Sequence, residues 1–191
     1  MLTTLKNALK IKEIRKKLFF TFLMLVVVRI GCQLPVPGVD RHFFSNWFAA
    51  QTGDTFSFFN AFTGGSFENF SLFALNITPY ITSSIIIQLL TIAIPKLEEM
   101  QKDGEEGRKK IAAITRYTTV GLGLIQGTAY YFYLRNNKIT LYNEGFSAVF
   151  TAIIIVLAFT AGTALIMWMG EQIDNKGIGN GISMILFAGI V

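Results

Sequence analysis

An all-α bundle of membrane-spanning helices is the fold class this sequence predicts, and three observations predict it. Of its 191 residues, 52% are apolar and only 15% charged, with a mean hydropathy of +0.48, which is too apolar and too weakly charged for an ordinary soluble domain. The apolar residues gather into segments near the length that crosses a hydrocarbon core, roughly 20 residues at 1.5 Å each. The lysines and arginines behind the net charge of +5 stand beside those segments instead of forming a stripe of their own, so membrane orientation accounts for them better than nucleic-acid binding. The 18 phenylalanines agree, because lipid-facing surface absorbs apolar side chains that a small core cannot.

Residues 1–17 hold Lys6, Lys10, Lys12, Arg15, Lys16 and Lys17 against Glu13 alone, and are read as an amphipathic cytoplasmic amino-terminus. The first span covers about 18–34. A signal peptide also has a basic flank and an apolar run, but no small-x-small cleavage pattern follows here, so the span is read as retained. Arg29 near its outer end can snorkel to the interface or pair inside the bundle. Pro35 and Pro37 end the helix, and a polar outer segment over 35–55 contains Asp40, Arg41 and His42. With one histidine and one cysteine, His42 and Cys32, the chain can form neither an internal disulfide nor a His/Cys metal cluster.

A plug-like half-helix over residues 56–66 comes next: about two helical turns from Phe56 to Phe62, too short to span and belonging at an interface or among other helices, followed by the Gly64-Gly65 break. The second span, about 71–94, is polar on one side. Asn76, Tyr80, Ser84 and Gln88 recur at i+4 and share a slowly drifting face, beside a second face of Ile81, Ile85 and Leu89. Such polar residues either glue neighbouring helices or line a pathway. Pro79 removes a backbone bond to Leu75, which predicts a bend beside this seam. Residues 96–110 carry five basic and five acidic side chains, with Gly104 and Gly107 to break a helix, and are read as a cytoplasmic loop.

The third span, about 113–134, has Gly123 and Gly127 at GxxxG spacing, which predicts close helix approach, and Tyr130, Tyr131 and Tyr133 as an aromatic belt at its outer end. The fourth span covers about 147–169. Residues 170–181, with four glycines, are read as a compact cytoplasmic connection; GIGNG there lacks the lysine and the strand context of a phosphate-binding loop. A fifth apolar helix opens at Ile182, and the sequence stops at Val191, about 15 Å along it, so a span cut short is expected.

These segments carry a family resemblance. SLFALNITPYITSSIIIQLL closely resembles the second transmembrane segment of the SecY/Sec61-alpha family of bacterial-type protein translocase channels, and FFNAFTGG before it resembles that family's plug helix. WMGEQIDNKGIGNGIS is a second hallmark about a hundred residues on, and RIGCQLPVPGVD and EEGRKKIAAITRY also fit, so the likeness covers essentially the whole chain. Asn76 departs from the pattern, standing where the family usually has glycine.

The resemblance implies the amino-terminal half of a pseudo-symmetric ten-helix channel, lying in the bacterial cytoplasmic membrane, that passes unfolded polypeptides across and releases hydrophobic segments sideways into lipid. It implies a pore ring of Ile81, Ile85, Ile182 and Leu186, and a plug built from Phe58, Phe59, Asn60, Ala61, Phe62, Thr63, Gly64 and Gly65. It also implies a lateral gate bearing the polar seam Asn76, Tyr80, Ser84 and Gln88. The partners it implies are SecE-like and SecG-like subunits, the SecA motor and the ribosome mainly through the second half, signal sequences, nascent chains and membrane lipids. It implies no catalytic residue, no metal, no cofactor and no nucleic acid beyond ribosome docking.

Composition and spacing alone also describe half of a secondary transporter with a midplane site. An ion-coupled transporter should show an intramembrane acid or charge pair, and residues 71–94, 117–134 and 147–169 contain none. An intramembrane protease needs paired Asp, Ser with His, or HExxH, and those stretches hold no Asp or His.

Overall fold

Where the lysine-rich start gives way to an apolar run, α1 (Lys12–Gly31) carries the change within one helix. The computed structural model describes residues 11–39, 46, 63, 65–66, 69–137, 139–140 and 145–190. Five more helices follow among them: α2 (Thr78–Ala93), α3 (Pro95–Lys102), α4 (Glu105–Asn136), α5 (Gly145–Lys176) and α6 (Gly181–Ile190). α5 is the central post, touching α1, α2, α4 and α6, while α2 and α3 both lie along α4.

Among the described residues α5 is the one helix that is, by itself, long and apolar enough to cross a membrane; α2 and α3 reach that measure only together, bent by 102°. α1 misses it because five charged residues crowd its first two turns, and α4 because glycine, threonine and tyrosine dilute its apolar stretch. Both nevertheless present apolar side chains outward. Phe19, Phe22 and Val26 on α1, Leu124, Ile125 and Phe132 on α4, and Phe150, Ile153 and Leu157 on α5 are all exposed. Helices apolar on their outer faces are built to meet lipid.

The GxxxG expectation for the third span agrees with the structure. Gly123 faces Thr160 and Thr163, and Gly127 faces Val156 and Phe159, each within 4 Å of where a Cβ would sit, so α4 and α5 approach closely. Tyr131 leaves the expected aromatic belt: it is buried, and its hydroxyl donates to the Ala148 carbonyl at 3.4 Å.

Three boundaries differ from the expectation, each for a local reason. The second span is helical only from Thr78, because Phe70 (φ 45°) and Asn76 (φ 49°) take left-handed backbone that an α-helix cannot contain. Pro79 sits in the first turn, where its missing N–H is no loss, so it starts a helix and does not bend one. Asparagine is among the few residues other than glycine that tolerate the left-handed φ at position 76.

The charged stretch 96–110 is α3 and the start of α4, with Gly107 inside the helix. A Cβ on Gly107 would run into the Met100 carbonyl oxygen, so this glycine permits a close hairpin where a helix break was expected. α5, finally, continues past 169 to Lys176, which shortens the connection to 177–180. Gly170 lies within α5 and Gly181 opens α6, and a Cβ on Gly181 would strike the Gly170 carbonyl, so the two glycines mark a tight crossing.

Two apolar clusters fill the interior. One joins Val36, Phe70, Leu75, Leu134, Ile155 and Phe159, with the Phe70 and Phe159 rings edge to face at 5.1 Å. The other joins Val28, Phe73, Ile77, Ile166, Met169, Ile173 and Ile185. Residues 71–77 run between them and are clamped on both sides. The Val36 N–H donates to Phe70 O at 3.1 Å and the Leu72 N–H to Leu34 O at 2.9 Å, while Phe73 lies against Gly31 and the Leu72 carbonyl against Gly162.

Candidate functional site

The orientation of α2 follows from what it buries. Pro79, Ser83, Ile87 and Thr91, spaced i+4, form its buried stripe, and the Ser83 hydroxyl donates to the Thr115 carbonyl of α4 at 2.9 Å. That stripe does the packing which sequence spacing left open for the neighbouring polar face. With it turned inward, the face of Ile81 and Ile85 is rotated toward the α5–α6 side and then outward.

Ile81 packs on the second cluster, and so do Ile182 and Leu186, which flank the fully buried Ile185 on α6. The structure thus gathers three of the four expected pore-ring residues around one apolar centre. Ile85, one turn beyond Ile81, is 52% exposed. Three of the four therefore rest on one apolar cluster, and the fourth is half exposed.

The expected polar seam divides. Asn76 is buried in the turn before α2, so it shares no helical face with the others, a correction that follows from its left-handed backbone. Tyr80 packs on the second cluster, within the fields of Glu171, Asp174 and Arg116. Ser84 is half-exposed and Gln88 exposed, and a long 3.5 Å contact between Gln88 Nε2 and Ser84 Oγ joins them. Of the expected plug, Thr63 is buried and Gly65 has φ +77°; Phe58, Phe59, Asn60, Ala61, Phe62 and Gly64 lie outside the described residues.

The residues that hold the site were not singled out by sequence reasoning. Asp174 Oδ1 accepts the Gly181 N–H at 2.6 Å, and the buried Thr21 hydroxyl accepts the Ile178 N–H at 3.1 Å while donating to Lys17 O at 3.0 Å. These bonds fix the 177–180 turn, and with it the start of α6 and the direction of Ile182. Asn180 caps that helix, its Oδ1 accepting the Ser183 N–H at 3.1 Å, and an asparagine just before an apolar run was a legible signal for it. Arg116 Nε donates to Glu171 Oε1 at 2.6 Å, tying α4 to α5 near the same end. Separations of 157 residues for Thr21 and 55 for Arg116 have no short-range signature.

Among the described residues no cluster of His, Cys, Asp or Glu is arranged to hold a metal ion. An apolar rim can do two things: exclude water and ions when narrow, and touch a passing chain without any fixed hydrogen bond.

Comparison with known proteins gives consistent matches. The SecY family model matches residues 71–191. The protein translocase subunit SecY of Bacillus subtilis is 47% identical over 194 residues, covering 100% of this chain and 44% of that protein. The subunit of the same description from Thermotoga maritima is 42% identical, covering 97% of this chain and 44% of its own length. The chain therefore spans less than half the length of these relatives. Two solved structures, described as Sec61 in the canine ribosome-channel complex from the endoplasmic reticulum and as the structure of a protein conducting channel, align with TM-scores of 0.62 over 92% of this chain and 36% of theirs. At 18% identity that likeness speaks for the fold alone.

Proposed function

The chain belongs to the SecY family, and from that premise we propose that it supplies the amino-terminal half of a channel subunit that conducts unfolded polypeptides across a membrane and releases hydrophobic segments into it. The observation that carries this reading is the gathering of Ile81, Ile182 and Leu186 on one apolar cluster with Ile85 open beside them. In the proposal these four are half of a gasket, whose open side meets the second half of the channel.

The face of half-exposed Ser84 and exposed Gln88 belongs to the lateral gate, where hydrophobic segments pass between the halves. Residues 56–66 close the conduit from the outer side. The clamp on residues 70–77 supports a hinge ahead of Phe70, at Gly65, so the plug swings while the loop that carries α2 stays fixed. Lysine and arginine placement supports a cytoplasmic amino-terminus in a bacterial cytoplasmic membrane. The partners are a SecE-like clamp, a SecG-like subunit, and the SecA motor or the ribosome as drivers docked chiefly on the second half. Signal sequences, nascent chains and lipid complete the list.

The test uses the full-length protein, assembled with its partner subunits in proteoliposomes. Preprotein should become protected from added protease only when the channel is present, and deletion of residues 57–65 should raise ion leak while leaving transport largely intact. Absence of transport with a working motor contradicts the function. Unchanged leak after the deletion contradicts the plug.

A further inference from the structure

Among the described residues, the hydroxyl oxygens of Ser66 and Ser71 are the buried side-chain polar atoms that meet no partner in the protein, and both residues are 0% exposed. Other buried hydroxyls are served by the chain itself. Those of Thr115, Thr119, Thr160 and Thr163 each donate to the carbonyl one helical turn back, and that of Ser83 reaches across to α4. Ser66 and Ser71 stand outside the helices, and the carbonyls around them already accept backbone bonds. Ser66 O takes the Ser71 N–H at 3.0 Å, Phe70 O the Val36 N–H at 3.1 Å and Leu34 O the Leu72 N–H at 2.9 Å.

The two hydroxyls belong to one turn. The Ser71-to-Ser66 backbone bond closes it and sets its two ends side by side, and the bridge between Ser71 and Pro35 lays it against the end of α1, where the Cys32 thiol lies beside Ser66. A thiol is a weak partner for a hydroxyl, and the two serines do not bond to each other. A buried hydroxyl left bare forfeits the bonds it makes to water outside the fold, and here two would be left bare within one turn. One water molecule restores both. A buried water makes about three hydrogen bonds, and two hydroxyls with a thiol beside them supply that number. The enclosure keeps the guest small, because Cys32 and Phe73 are buried as well and Phe73 lies hard against Gly31.

We propose that the 66–71 turn binds one water molecule that bridges Ser66 Oγ and Ser71 Oγ beside the Cys32 thiol. The site stands between Gly65, with its left-handed φ of 77°, and the clamped segment that carries α2. A bridging water is nearly as good as a direct hydrogen bond and is free to change partners, so the turn can yield there while the bonds of the clamped segment stay intact. The water site rests on the packing of the turn alone. Its service as the joint of a moving plug rests on the reading proposed above, and the two are measured separately.

The test uses the full-length protein, assembled with its partner subunits in nanodiscs, and reads radiolytic footprinting and melting temperature on the same samples. A short X-ray pulse makes hydroxyl radicals from bound as well as bulk water, so Cys32 should be oxidised although it is buried. Its labelling rate should fall several-fold in Ser66→Ala/Ser71→Ala. Each single alanine variant should melt about 2 °C lower, because the water and the remaining hydroxyl lose a partner. The double variant should melt no lower than either single one, because both polar groups have gone together. Two single variants that each melt higher, with additive gains, would show the hydroxyls bare and overturn the proposal. Losses that add in the double variant would give each serine its own protein partner and overturn it too, as would equal Cys32 labelling in parent and double variant. Unchanged ion leak after deletion of residues 57–65, by contrast, removes the plug and leaves these readouts as they are.

Discussion

Replacing Gly162 by alanine is expected to destabilise the protein severely, although the same exchange in an exposed helix is favourable by about 1 kcal/mol. Gly162 lies within α5, and a Cβ there would run into the backbone carbonyl of Leu72. A side chain could swing aside, but this carbonyl belongs to a segment held by the Val36–Phe70 and Leu72–Leu34 hydrogen bonds and by Phe73 against Gly31. The segment would have to leave its seat between α1 and α5, moving Ile77 and the start of α2 with it. Overpacking costs about 1–3 kcal/mol where side chains give, and a backbone clash belongs at or above the top of that range. Thermal unfolding in detergent should show a sharp drop in Tm and in the yield of assembled protein. Gly121→Ala is the control: no atom lies within 4 Å of its Cβ, so that variant should be neutral or slightly stabilised.

Ile85→Asn is expected to act in the opposite way, leaving stability nearly unchanged and function strongly altered. Half of Ile85 is exposed in this chain, so little packing is lost. In the assembled gasket the exposed half of the side chain would be buried against the other half of the channel, which contributes about half of the 1.5–3 kcal/mol of a full isoleucine burial, roughly 1 kcal/mol, to the closed state. Removing that contribution shifts the closed–open balance by about fourfold to tenfold, and a polar side chain also lets the ring wet more readily. The full-length variant should pass substrates with defective signal sequences that the parent rejects, with an unchanged melting temperature. If export of such substrates does not rise, Ile85 is not part of the seal.

Much of this was legible in the sequence, and where it was not the reasons are physical. Apolar segment length and the basic flank located the helices, and GxxxG spacing located the Gly123–Gly127 contact with α5, because these depend on local composition and period. Helix starts were harder. Residues 71–77 are apolar and helix-compatible by pattern, and only the backbone shows that Phe70 and Asn76 are left-handed. Gly107 and Gly181 read as turn residues because glycine is ambiguous: close approach of the Met100 carbonyl to the first and of the Gly170 carbonyl to the second was the reason for each.

The site was legible in part. Spacing grouped Ile81 with Ile85 and Ile182 with Leu186, and the fold brings Ile81, Ile182 and Leu186 to one cluster. Spacing also grouped Asn76 with Tyr80, Ser84 and Gln88, which the late start of α2 undoes. The supports, Thr21 on Ile178 and Asp174 on Gly181, are contacts between elements that no periodic pattern records.

The central claim is that Ile81 borders a polypeptide-conducting path. A photo-crosslinking amino acid placed at position 81 of the full-length protein, with a translocating chain stalled halfway and its stalling verified independently, tests it most directly. The account predicts crosslinks to the stalled chain that vanish when the chain is released. Crosslinks only to lipid or to neighbouring helices, with the stalled chain present, would make Ile81 a packing residue and contradict the pore assignment.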